Sequence, residues 1–150
     1  MKGLFSLSAL SAVLAVLAAA GCQYPPEGVT GPEIPDLGVA PGEPVSEYPI
    51  WAGQNILIGT LSVYNDADYL YITYTLFDGW MLEETHVHVA SDLSGIPCNR
   101  NGIPVPGQFA FGACHDPTVA VYTYAIEMEP WGFQYGDEVV VAAHAAVNKW

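Results

Sequence analysis

His86 and His88 stand two residues apart in the alternating segment Thr85 to Ser91. On an extended strand that spacing sends both imidazoles out of one face, with Glu84 beside them. A His-x-His pair on a strand can present two nitrogens to one Zn²⁺ or Cu²⁺ ion. His115 follows Cys114, and His144 lies among alanines in a late apolar run. If the strands converge, His86, His88, His115 and His144, with Glu84 as a further ligand, would form a transition-metal site. The competing reading is four ordinary strand histidines, since spacing alone does not bring His115 or His144 to the pair.

Other chemistry is thinly supplied. Asn65-Asp66-Ala67-Asp68 packs oxygens into a turn, which suits Ca²⁺, but it lacks the full loop of a dedicated calcium site. Glu127 and Glu129 share a strand face without further sign of a glycosidase pair. No Gly-x-Ser-x-Gly nucleophile elbow occurs. No catalytic residues are assigned, and an enzyme is not expected. Aromatic residues are the other resource. Tyr69 and Tyr71 share a face with Thr73 and Thr75, while Trp80, Trp131, Phe133 and Tyr135 fall in turns or loops. Such side chains can stack on a glycan or grip a partner protein.

These residues must be held by strands. Asn55 to Tyr64 and Tyr69 to Phe77 are β-rich runs joined by a polar Asn/Asp turn, the pattern of a hairpin. Leu70, Ile72, Tyr74 and Leu76 fall on the inner face of the second run. Thr85 to Ser91, Val119 to Met128 and Glu138 to Asn148 are three further strands. Ser94 to Phe109 carries Pro97, Pro104 and Pro106 with three glycines and is a long loop. With no amphipathic helix, the expected fold is all-β, an antiparallel β-sandwich of immunoglobulin-like or Greek-key type.

Several short segments together carry a resemblance. Ala52-Gly53-Gln54, Ile58 to Val63, Leu70 to Tyr74, Glu84-Thr85-His86-Val87-His88-Val89, Ile103 to Phe109, Tyr122 to Ile126 and Val141 to Ala145 resemble a family of secreted microbial all-β domains of unassigned activity. The resemblance implies an exported β-module and no particular chemistry.

The N-terminus agrees with export. Met1-Lys2, an apolar run from Leu4 to Ala20, and Ala-Gly before Cys22 form a signal peptide over residues 1–21. Its end resembles a bacterial lipoprotein signal, with Ala19 where Leu is usual, which implies a lipid-modified Cys22. Residues 22–50 are rich in Pro and Gly and read as a tether, leaving residues 51–150 for the β-sandwich. Cys98 and Cys114 are then an even pair in an oxidising compartment and are expected to form a disulfide, contributing roughly 3 kcal/mol. The alternative is two unrelated thiols.

Charge narrows the partners. Across 150 residues, 3 Lys+Arg against 16 Asp+Glu give a net charge of -13, too few cations to hold a nucleic-acid backbone. With 51% hydrophobic and 13% charged residues, the chain buries a core. The sequence thus reads as a lipid-anchored, extracytoplasmic surface binding or structural module. It would meet the membrane through Cys22 and an envelope protein, glycan or metal through its domain. Gln23 after the cysteine favours the outer membrane or cell surface over the inner membrane. The alternative is a Cu/Zn-binding protein using the histidines.

Overall fold

A computed structural model describes residues 46–134 and 137–149. The signal peptide, Cys22, most of the tether and Tyr135 lie outside the described residues. Seven strands follow in order: β1 (Ser46–Ala52), β2 (Ile56–Asn65), β3 (Tyr69–Leu76), β4 (Trp80–Ala90), β5 (Phe111–Val119), β6 (Val121–Glu127) and β7 (Val140–Lys149). They form two antiparallel sheets, one ordered β1-β2-β3-β6 and the other β5-β4-β7. The fold is an all-β sandwich. The return of β6 to lie beside β3 is its Greek-key element, and the strand order departs in detail from that of immunoglobulin domains.

The hairpin expected from the Asn/Asp turn is β2–β3, with Tyr64 opposite Tyr71 and Asn65 opposite Leu70. Leu70, Ile72, Tyr74 and Leu76 point inward as their alternation requires. They meet Leu82, Val87 and Val89 of β4 and Val141, Ala143 and Ala145 of β7 across the sandwich. Three strands differ from expectation. β4 begins at Trp80, well before Thr85, so Trp80 stands in a strand and not in a turn or loop. β1 begins at Ser46, inside the segment whose prolines read as tether, because Pro49 sits on a strand that is outermost among the described residues, where a missing N–H is tolerated. β5 occupies a stretch to which the alternation assigns no strand, since Gly112 and Pro117 break its pattern.

A bulge in β4 decides which side chains reach which face. Leu82 pairs with Val147 and Glu84 with Ala146, so two steps along β4 match one along β7. The extra residue lets Leu82 and Thr85 both point into the core. Without it, an unbroken alternation would send Glu84, His86 and His88 inward with Leu82. The bulge therefore places the histidine pair on the outer face of the three-stranded sheet.

Candidate functional site

On that outer face, His86 of β4 stands opposite His144 of β7, their ring centroids 5.8 Å apart. Glu84, two residues before His86, brings Oε1 within 2.9 Å of His86 Nε2. His86 is only 5% exposed despite lying on an outer face. Its pair partners on the two flanking strands are Gly112 and His144. Burial, helped by the neighbouring His86 and opposed by Glu84, lowers the His144 pKa to about 4. His144 is therefore a neutral imidazole at physiological pH, and its buried Nδ1 makes no hydrogen bond among the described residues. Below both rings Tyr74, fully buried, shares its hydroxyl hydrogen between the carbonyls of His86 (3.0 Å) and His144 (3.1 Å).

His88 takes a different environment from its neighbour. The backbone N–H of Ala110 donates to His88 Nδ1 at 3.0 Å. An amide can only donate, so Nδ1 is bare and the hydrogen sits on Nε2. One ring nitrogen is thus spent on the end of the long loop. Burial lowers the His88 pKa, and the nearby Gly95 backbone opposes that only in part. The loop lies over the outer face, where its Ile96 and Phe109 pack with Ala90, Ala142 and Val140 in a second small core. Gly95 comes so near the sheet that an added Cβ would meet the Ala90 side chain.

Beside His88 the loop leaves an open cleft of about 620 Å³ at one end of the sandwich. Trp131 supplies its aromatic wall, in a short turn ended by Gly132 in a left-handed conformation. The indole lies 6.1 Å from the His88 ring and 5.4 Å from Phe111, and remains 38% exposed. Phe133, Ser91, Asp137 and Glu138 complete the polar and apolar lining that matters for recognition. Asp137 holds the turn through a 2.8 Å bond from the Gln134 N–H to its Oδ2.

His115 points away from the other three. It lies 3.0 Å from the Thr85 hydroxyl, on the core side of β4, and its ring packs on Tyr122 with centroids 4.4 Å apart. Tyr124 donates to the Thr85 carbonyl at 3.0 Å. The Thr85 hydroxyl then donates to Tyr124, and His115 Nε2–H donates to Thr85. Burial lowers the His115 pKa, in keeping with that neutral, donating ring. The expected convergence of four histidines is therefore corrected: His86, Glu84 and His144 meet, His88 serves the loop, and His115 serves the core. Among the described residues no three His, Cys, Asp or Glu side chains are placed to hold one metal ion.

Two further expectations change. Cys98 is a free, exposed thiol, so the expected Cys98–Cys114 bond is not formed. Cys98 pairs with Pro104 in a small hairpin whose backbone bonds run between Asn99 and Ile103 and between Val105 and Pro97. Cys114 lies in β5 opposite Glu84. The loop is pinned by His88, Ile96 and Phe109 in place of a disulfide. In the acidic turn, Asp66 Oδ1 accepts the N–H groups of Asp68 and Tyr69, each at 2.8 Å, and Oδ2 accepts the Tyr71 hydroxyl at 2.9 Å. Those bonds outweigh the opposing effect of burial and lower the Asp66 pKa. Burial, with Asp66 beside it, raises that of Tyr71 to about 12. Both oxygens that a Ca²⁺ ion would need are engaged in building the turn.

Ser91, Gly95, Asp137 and Glu138 were not readable as site residues, because only the packed loop brings them beside His88. The Glu-Pro-Trp-Gly turn around Trp131 was the available signal. No family model, curated protein or solved structure matches the chain.

Proposed function

We propose that the protein is a lipid-anchored, extracytoplasmic binding module of a bacterial envelope, with its ligand site in the cleft beside His88. The observation that carries this reading is the open cleft itself, walled by a partly exposed Trp131 and held by a fixed loop. Exposed indoles in concave, preformed sites are the usual grip of binding proteins on small ligands. His88 contributes rigidity, since its bond from the Ala110 N–H helps hold the loop that forms the rim, beside the packing of Ile96 and Phe109. Anchoring rests on the Ala-Gly-Cys end of the signal sequence.

Two measurements test the reading. Native mass spectrometry of the full chain after incubation with soluble envelope extract should reveal a retained small ligand that Trp131→Ala loses. Equal retention by both proteins would remove the cleft from consideration. Cys22→Ser should abolish fatty-acid labelling and release the protein from membranes, and unchanged membrane association would refute the anchor.

The histidine pair is the weaker site for a metal. His86 and His144 with Glu84 would offer Zn²⁺ or Cu²⁺ a small set of donors, one of which is already bonded to another.

A further inference from the structure

We infer that the cleft takes an organic cation, a ligand bearing an ammonium or quaternary ammonium group; this deepens the reading of the cleft as the ligand site and rests on it. Asp137 and Glu138 are both exposed carboxylates at the cleft, and no Lys or Arg among the described residues lines it. His88, the one lining side chain that could turn positive, has its Nδ1 committed to the Ala110 N–H, and burial disfavours its charged form. It offers an anion no charge.

What remains is a site of acceptors and an aromatic face. Asp137 spends Oδ2 on the Gln134 N–H, and among the described residues neither its second oxygen nor the Glu138 carboxylate makes a hydrogen bond. Trp131 packs against His88 and Phe111 and keeps over a third of its surface open. A cation over an indole face is attracted by the ring quadrupole, and nearby carboxylates add to that attraction. The chain's net charge of -13 adds a long-range field that favours the same sign of ligand.

A bare divalent metal fits less well. Asp137 and Glu138 are joined by no third acidic, His or Cys ligand at metal distance among the described residues, and half the wall is apolar. A soft, bulky cation uses the indole and Phe133, which a hydrated metal ion cannot. Phosphate, sulfate and acidic sugars meet only like charge.

Isothermal titration calorimetry on the full chain decides the matter with three probes. Choline chloride should bind with one-to-one stoichiometry at low salt. Its neutral isostere, 3,3-dimethylbutan-1-ol, should bind at least tenfold more weakly, and cellobiose should show no heat of binding. Trp131→Ala should weaken choline at least tenfold. Glu138→Gln, an exposed change that leaves the fold intact, should weaken it several-fold and flatten the salt dependence. Equal affinity for choline and its isostere would overturn the cation, as would choline binding untouched by both variants. Cellobiose binding that Trp131→Ala removes, with no choline binding, would overturn the cation yet leave the cleft as the ligand site. Silence from all three probes would count against cation and cleft together.

Discussion

His86 and His144 face each other across the β4–β7 ladder, and one buried hydroxyl, that of Tyr74, ties their two carbonyls to the core. Burial of the His144 ring disfavours its charged form. His144, His88 and His115 all have pKa values lowered by burial, His144 to about 4. The unfolded chain would take up protons on these rings near pH 6.5, before the folded protein does. Stability from this source is therefore complete above about pH 6.5 and falls as the pH drops, for His144 until about pH 4. Allowing for partial exposure, His144 alone should account for about 2 kcal/mol of that loss. Urea unfolding at pH 7.5 and pH 4.5 should show the decline, and His144→Gln should make it shallower. An identical acid slope in the variant would contradict the assignment.

Tyr74→Phe should remove the tie while keeping the ring in the core. The two carbonyls lose a donor, and the expected cost is about 1–2 kcal/mol. Thermal or urea unfolding will read it. A neutral substitution would mean that the phenol contributes packing alone.

The β4 bulge makes a sharper forecast. Deleting Glu83 removes the surplus residue and leaves Leu82 and Thr85 inward with Glu84 and His86 outward. That variant should fold. Deleting Thr85 also restores an unbroken alternation, but it puts the Glu84 carboxylate in the core place of Thr85 and should abolish cooperative unfolding. Circular dichroism melts of the two deletions compare them directly, and equal damage would show that the bulge does not set the faces.

Cys98 should react with a maleimide in the native protein within the time that any exposed thiol needs, without prior reduction. Peptide mapping identifies the site. Labelling only after reduction would restore the disulfide expected from the even cysteine count.

The alternation in β3 and in β4 after its bulge was legible because the inward residues are nearly all apolar, Thr85 being the exception, and each strand is long enough to repeat the pattern. The i, i+2 neighbourhood of Glu84 and His86 was legible for the same reason. The opposition of His86 to His144 was not, since it depends on register between strands more than fifty residues apart. His115 resisted reading because Gly112 and Pro117 hide the strand that turns it inward. Cysteine parity misled at Cys98, as a count carries no direction, and the local hairpin around Asn99 settles where that thiol points. The cleft was invisible for a related reason: its wall, rim and carboxylates come from β4, the long loop and the turn before β7.

Pro49 in β1 has a consequence for behaviour in crowded solution. β1 is an outer strand among the described residues, bonded to β2 on one side only. An outer strand is a template on which a second molecule can lay a strand of its own. Proline offers no N–H and its ring stands in the way of a close neighbour, so a growing ladder is interrupted halfway along a seven-residue strand. Replacing it with valine would leave the sandwich intact and give copies of the protein a continuous seam along which to polymerise.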